Sequence, residues 1–122
     1  MAGIERRAQA AWDGDLRTGR GFLSTASGVL NNEPYSFGTR FENAPGTNPE
    51  ELIGAAHAGC YSMALAGTLR SHGYAPERIE TKATVTLTRQ PEHGFRITKV
   101  RLEVRARVAG ANQAELQELS QK

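Results

Sequence analysis

Residues 48–63 read "NPEELIGAAHAGCYSM" and contain the only cysteine of the 122-residue chain, Cys60. The stretch begins like a helix N-terminus. Thr47 or Asn48 can accept a hydrogen bond as the cap, Pro49 suits the first helical position, and the two glutamates that follow suit the positive end of the helix dipole. We therefore predict that a helix starts here and carries the cysteine.

The predicted central helix covers residues 48–72, and Gly73 supplies its C-terminal stop. Small and apolar residues recur along one stripe of this helix at helical spacing: Ile53, Ala56, Cys60, Met63, Ala64 and Gly67. Small side chains let another backbone approach closely. We therefore expect the helix to lie at the centre of the fold, deeply buried.

Strand-like patterns lie on both sides of the helix. Residues 5–42 contain short alternating runs separated by turn residues, which predicts an antiparallel meander. Residues 79–108 alternate apolar and polar side chains with a period of two, which predicts a long half-buried hairpin. Residues 112–122 begin a second helix, with Asn112 and Glu115 as a capping box. The predicted fold class is therefore α+β, with antiparallel sheets packed on one long central helix.

Composition narrows the functional classes. A formal net charge of +2 is too small to indicate a nucleic-acid partner. No apolar run approaches the roughly 18–20 residues that a membrane span needs, and the N-terminus lacks the apolar region of a signal peptide. We expect a cytoplasmic protein with neither a membrane nor a nucleic-acid partner. The single cysteine and three scattered histidines show no metal-ligand spacing, so no metal is expected.

The residues alone leave the role of Cys60 open. Free cysteines are usually buried and inert, and the position in mid-helix favours that interpretation. His57 lies one turn earlier and could act as a base, as in a Cys-His hydrolase or acyltransferase, although a core histidine is the favoured interpretation. A third interpretation is a non-enzymatic dimeric domain that binds a hydrophobic ligand between subunits.

A resemblance to a known family adds to these patterns. The segments "WDGDLRTGRGFLSTASGVLNNEPYSFGTRFE", "GTNPEELIGAAHAGCYSMAL" and "FRITKVRLEVRARV" resemble the OsmC/Ohr family of thiol peroxidases, and its OsmC branch in particular. The similarity covers nearly the whole chain. It implies a single OsmC-like domain over residues 1–122 that forms an intertwined homodimer. It also implies a peroxidase that reduces organic hydroperoxides, and hydrogen peroxide less well, in the defence against oxidative stress.

The resemblance implies catalytic roles for three residues. Cys60 matches the peroxidatic cysteine, whose thiolate attacks the peroxide and becomes a sulfenic acid. Arg40, in "TRFE", matches the arginine that favours the thiolate, and Glu50, in "NPE", matches the glutamate that holds the guanidinium in a bidentate pair. Glu50 and Cys60 are ten residues apart, which is about 15 Å along a straight helix, so Glu50 cannot contact Cys60 directly. We therefore expect either a break near Gly54 or groups from a second subunit to complete the site.

The sequence departs from the family pattern at the residue that resolves the sulfenic acid. Family members carry a second cysteine in a "CPVS"-like motif, whereas these 122 residues contain only Cys60. We expect that the sequence lacks the C-terminal segment of a longer protein. If the chain is complete, an external thiol must attack the sulfenic acid directly. No cofactor is implied, and the expected reductant is an external dithiol such as a lipoyl group.

Overall fold

The computed structural model describes residues 3–92 and 94–110, together with Gln113 and Gln117. It forms two compact units, Met1–Glu51 and Leu52–Lys122, each with its own antiparallel sheet. The secondary structure mixes helices and strands, as the predicted α+β class requires. A single domain over the whole chain stays a prediction.

The first unit is built on a three-stranded antiparallel sheet in the order β1-β2-β3. Its strands are β1 (Ala8–Asp13), β2 (Arg20–Thr25) and β3 (Glu33–Tyr35). Gly21 is buried near the start of β2, opposite both Trp12 and Tyr35. A Cβ atom on Gly21 would lie 2.6 Å from the Trp12 ring and 2.5 Å from the Tyr35 ring. Glycine therefore lets the rings of Trp12 and Tyr35 approach to a centroid distance of 5.4 Å. This ring contact holds Tyr35, the last residue of β3, in place.

A short helix, α1 (Phe37–Phe41), follows β3. Ser36 caps it, because its Oγ accepts from the Thr39 backbone N–H at 3.2 Å and its own N–H donates to Thr39 Oγ1 at 2.9 Å. These two hydrogen bonds satisfy backbone N–H groups that have no partner within the helix at its start. The predicted meander over residues 5–42 is therefore wrong at its end. The capping box overrides the strand propensity of the aromatic residues there.

The long helix α2 (Pro49–Ser71) lies within one residue of the predicted range, 48–72, at each end. Asn48 caps its start, since Asn48 Oδ1 accepts from the Glu51 backbone N–H at 2.8 Å. Gly73 follows its end with a φ of 86°, in the left-handed region that a helix stop of this kind requires.

The second unit contains a two-stranded antiparallel hairpin of β4 (Ala75–Gln90) and β5 (Gly94–Ala109). It extends beyond the predicted range, 79–108, at both ends. The prediction started the first strand of the hairpin at residue 79, later than observed, because of Pro76. A proline argues against a strand except near its first residue or at a sheet edge. Both strands of this hairpin are edges, so the proline is tolerated.

The predicted alternation is confirmed on β4 and on the second half of β5. Ala83, Val85 and Leu87 on β4 are partly buried, whereas the residues that alternate with them, Lys82, Thr84 and Thr86, are exposed. On β5 the alternation in burial runs from Leu102 to the buried Val108, whereas Ile97 and Val100, nearer the hairpin turn, are 41% and 39% exposed. The hairpin therefore offers one apolar face for packing.

One face of α2 packs against this apolar face. Leu65, Leu69 and Val108 form the buried core, and Leu69 is fully enclosed. Gly54 lets the helix backbone approach β4, since a Cβ atom there would meet Val85 Cγ2 at 3.3 Å. This close approach fixes which face of α2 is covered within the chain.

The predicted stripe lies on the opposite face of α2 and is exposed. Met63 is 80% exposed and Ile53 43%, and Cys60 is exposed between them. The expectation of a deeply buried helix is therefore wrong for this chain by itself. Both faces of α2 carry small and apolar residues, so spacing alone could not tell which face packs on the hairpin.

The helix α2 also has the length and composition of a membrane span. An 18-residue window within it reaches a mean hydropathy of 1.2, because alanines and leucines dominate it. The apolar run is thus longer than the sequence analysis expected. Its Leu65–Leu69 face packs on the hairpin, as the core helix of a soluble fold does.

The predicted helix over residues 112–122 lies mostly outside the described residues. Gln113 and Gln117 are described, and both are helical. The predicted capping pair, Asn112 and Glu115, falls outside.

Candidate active site

Arg40 and Glu50 form a bidentate ion pair between the last turn of α1 and the first turn of α2. Arg40 Nε donates to Glu50 Oε1 at 3.1 Å, and Nη2 donates to Oε2 at 3.2 Å. The side chain of Glu50 is 10% exposed and that of Arg40 is 35% exposed. A carboxylate buried to this extent needs a hydrogen-bond donor for each of its oxygens, and the planar guanidinium provides both donors. The pair predicted from the sequence is confirmed, while its catalytic role stays a prediction.

Asn48 links the two segments that carry this pair. Besides capping α2 through Glu51, its side chain donates from Nδ2 to the Thr39 carbonyl at 3.0 Å. Thr39 directly precedes Arg40, and Glu51 directly follows Glu50. The sequence analysis identified Asn48 only as a cap. The second hydrogen bond depends on where α1 lies, which no local pattern reveals.

An aromatic cleft of about 400 Å³ lies against Arg40. The guanidinium carbon of Arg40 is 5.0 Å from the centre of the Phe41 ring, which packs at 4.9 Å on the ring of Phe37. The cleft is lined by Trp12, Leu16, Tyr35, Phe37, Arg40 and Phe41. The sequence analysis missed it, although aromatic residues cluster around the arginine in "YSFGTRF". The neighbours of the cation are thus a carboxylate and apolar surface.

The turn after β1 borders the same cleft. Asp15 Oδ1 accepts from the backbone N–H groups of Thr18, at 2.8 Å, and of Arg17, at 3.1 Å. The hydrogen bonds from the Thr18 backbone and hydroxyl hold the pKa of the Asp15 carboxyl below its usual range. Within this turn the guanidinium carbon of Arg17 lies 4.9 Å from the centre of the Phe37 ring. A second cation therefore lies beside the aromatic cluster.

Cys60 belongs to the second unit and lies on the exposed face of α2. The expectation of a buried thiol is therefore wrong for this chain. His57 lies one turn earlier on the same helix and is also exposed. The helix is continuous through Gly54, so the first of the two expected alternatives, a break near Gly54, does not occur. An exposed thiol is open to soluble reagents, which a core cysteine is not.

Comparison with known proteins identifies the family. A family model described as OsmC-like protein matches residues 41–122. The peroxiredoxin OsmC of Escherichia coli K12 is 49% identical over 119 residues, which are 98% of this chain and 82% of that protein. This chain belongs to the OsmC-like family. A peroxiredoxin OsmC of Shigella flexneri matches this OsmC-like chain to the same extent.

Solved structures share the fold of this OsmC-like chain. An organic hydroperoxide resistance protein OsmC of Legionella pneumophila is 26% identical with a TM-score of 0.71, over 100% of this chain and 83% of that one. The organic hydroperoxide resistance protein OhrB of Bacillus subtilis is 22% identical with a TM-score of 0.67, over 94% and 81%. The predicted OsmC-like α+β fold is therefore confirmed. The family match includes Glu50 and Cys60 and begins one residue after Arg40.

We expect the Arg40–Glu50 pair to contribute measurably to stability. In a double-mutant cycle with Arg40→Ala and Glu50→Ala, the coupling energy should be about 1–3 kcal/mol, because each single variant leaves a charge unpaired in a largely buried place. Urea unfolding of the wild type, both single variants and the double variant gives this energy.

The matched control is the Arg7–Glu5 pair, whose side chains are both 76% exposed at an N–O distance of 2.7 Å. Its coupling energy should stay below about 0.5 kcal/mol, because water and salt screen exposed pairs. Equal coupling energies for the two pairs would contradict a special structural role for Glu50.

Proposed function

We propose that this chain is a thiol peroxidase that reduces organic hydroperoxides through Cys60. The observation that carries the proposal is the bidentate Arg40–Glu50 pair, which fixes a permanent cation beside an aromatic cleft in a chain whose one cysteine is exposed. Membership of the OsmC-like family and the peroxiredoxin names of the curated relatives support the same activity.

In the proposed reaction the thiolate of Cys60 attacks one oxygen of the peroxide. A sulfur–oxygen bond forms as the oxygen–oxygen bond breaks, and the leaving oxygen takes up a proton to become an alcohol. The cysteine loses two electrons and becomes a sulfenic acid, while the peroxide gains them.

Arg40 assists this step electrostatically. Its guanidinium is charged throughout the physiological pH range, so it favours the thiolate over the thiol. Its N–H groups also stabilise the negative charge that develops on the leaving oxygen. Glu50 holds the guanidinium in one orientation, so the cation is positioned before the peroxide arrives. Arg40 and Glu50 thus act together with Cys60 as one catalytic set.

The aromatic cleft beside Arg40 favours an organic hydroperoxide over hydrogen peroxide. Trp12, Tyr35 and Phe41 offer apolar surface to a carbon chain, which hydrogen peroxide lacks. The Legionella pneumophila relative carries the name organic hydroperoxide resistance protein, which supports the same preference. The cellular role that follows is protection against oxidative stress.

Turnover needs an external reductant, because each reduced peroxide leaves Cys60 oxidised by two electrons. Within these 122 residues Cys60 is the one cysteine, so a dithiol can react with its sulfenic acid directly. The first thiol of a dithiol attacks the sulfenic sulfur and releases water, which leaves a mixed disulfide. The second thiol attacks that disulfide, frees Cys60 and leaves the dithiol oxidised. A lipoyl group suits this role, and the cycle uses no metal or other cofactor. The cytoplasm is the proposed location, since thiol reductants are maintained there.

The proposal includes a homodimer that covers the exposed face of α2. Ile53 and Met63 expose apolar surface on this face, beside Cys60. A helix that is apolar on both faces is normally covered on both. Ala56 and Gly67 are small enough for a second copy of the helix to approach closely. The same contact would let groups of the second subunit contribute to the site.

Sedimentation velocity tests the dimer. We expect wild-type protein to sediment as a dimer at micromolar concentration. Met63→Glu should raise the dimer dissociation constant about tenfold or more, equivalent to about 1.4 kcal/mol, because it places a charge in an apolar contact. The control is Thr86→Glu, on an exposed position of the hairpin, which should leave the dimer unchanged. A well-folded wild-type monomer would contradict the dimer.

Cys60→Ser tests the catalytic claim. We expect this variant to keep the fold but to consume no organic hydroperoxide, because a serine hydroxyl is not ionised and forms no sulfenic acid. Consumption of cumene hydroperoxide with dihydrolipoamide as the reductant measures the activity. His57→Ala is the control on the same exposed face of α2 and should retain activity. Peroxide consumption by Cys60→Ser at the wild-type rate would remove the proposal. Ester hydrolysis that depends on His57 and Cys60 would favour the hydrolase instead.

A further inference from the structure

We infer that Asn48 is a positioning residue for the Arg40–Glu50 pair, and through that pair for the proposed peroxidase reaction. One side chain makes two hydrogen bonds of opposite polarity. Asn48 Nδ2 donates to the Thr39 carbonyl at 3.0 Å, and Asn48 Oδ1 accepts from the Glu51 N–H at 2.8 Å. The inference rests on the proposed function for its catalytic consequence, but its geometric part stands on these contacts alone.

The two bonds hold the immediate chain neighbours of the ion pair. Thr39 precedes Arg40 in α1, and Glu51 follows Glu50 in α2. The Asn48 amide therefore sets the separation of the two backbones from which the paired side chains extend. The guanidinium and the carboxylate then meet with both Nε and Nη2 in hydrogen-bond range of a separate oxygen.

The short helix α1 needs such an external contact. A helix of five residues is too short to be stable by itself in water. In the loop of residues 42–48, the Ala44 N–H donates back to the Gly38 carbonyl of α1 at 3.2 Å, and Thr47 Oγ1 donates to Glu51 Oε2 of α2 at 2.8 Å. Each of these bonds holds the loop to one helix, and neither joins the backbone of α1 to α2. The Asn48–Thr39 bond spans the loop directly. Without it, Arg40 would sample positions in which one of its two bonds to Glu50 is lost.

Only asparagine makes both contacts among the residues that cap helices well. Aspartate and serine can replace the acceptor that the Glu51 N–H requires, and both are good N-caps. Serine carries one hydroxyl oxygen, directly on Cβ, in place of the two separate polar atoms of the amide. Aspartate has no donor to replace Nδ2 and would bring a negative oxygen against the Thr39 carbonyl oxygen. The amide orientation is also determined, because the reverse orientation would put donor against donor and acceptor against acceptor. Asn48→Asp therefore separates the capping role from the positioning role.

The first readout is independent of activity. In nitrogen-15 spectra, the Arg40 Nε–H should exchange slowly with water in the wild type, because it donates to the buried Glu50 carboxylate. Asn48→Asp should speed this exchange about tenfold or more while circular dichroism keeps the helix content, since the cap is retained. Asn43→Asp is the matched control, because it makes the same substitution at an exposed position of the same loop, and it should leave the exchange unchanged.

The second readout is the rate constant for oxidation of Cys60 by cumene hydroperoxide. We expect Asn48→Asp to lower it by roughly 10- to 100-fold, as expected when a catalytic group is displaced by about 1 Å. Asn43→Asp should keep the wild-type rate. If Asn48→Asp loses helix content, Asn48→Ser replaces it in both measurements, since serine keeps the cap without adding a charge.

The outcomes separate this inference from the proposed function. Wild-type exchange at Arg40 Nε in both Asn48 variants would overturn the inference. Faster exchange with an unchanged rate would also overturn it, provided that Arg40→Lys slows the oxidation of Cys60. If Arg40→Lys leaves the rate unchanged as well, the proposed role of Arg40 fails instead. Faster exchange would then still support the positioning of the pair by Asn48.

Discussion

The Glu50 carboxylate is withdrawn from water at the start of α2, and a buried carboxylate is costly unless a matched cation compensates it. Arg40 supplies that cation with two N–H groups in the geometry of the carboxylate. This requirement places constraints on the residues around it. The short helix α1 has to end where Arg40 reaches Glu50, the capping box of Ser36 has to start that helix correctly, and Asn48 has to hold the two segments together.

A second constraint follows from the composition of α2, which is apolar on both faces. The hairpin covers the face that contains Leu65 and Leu69, and the face that carries Cys60 is exposed among the described residues. One helix therefore gives the protein both its core in the second unit and an accessible thiol. The same composition supports a second copy of the chain as the cover, which would leave the thiol near an interface rather than in a core.

Local signals predicted the long elements well. The cap at Asn48 and the stop at Gly73 fixed α2 to within one residue, and the alternation around Val85 identified the hairpin face. Prediction failed where tertiary contacts decide. Spacing alone could not tell which apolar face of α2 packs, and the strand propensity of Phe37 masked a capping box that the pattern Ser-x-x-Thr could have revealed. The roles of Cys60, Arg40 and Glu50 came from family resemblance, because their spacing carries no such information.

The central claim is that Cys60 reduces the peroxide itself. The most direct measurement is the mass of the protein after one equivalent of an organic hydroperoxide in the absence of any reductant. The account predicts a gain of one oxygen atom, located on Cys60 by a probe specific for sulfenic acids and removed by a dithiol. An unchanged mass, with the hydroperoxide intact and Cys60 still open to alkylation, would contradict it.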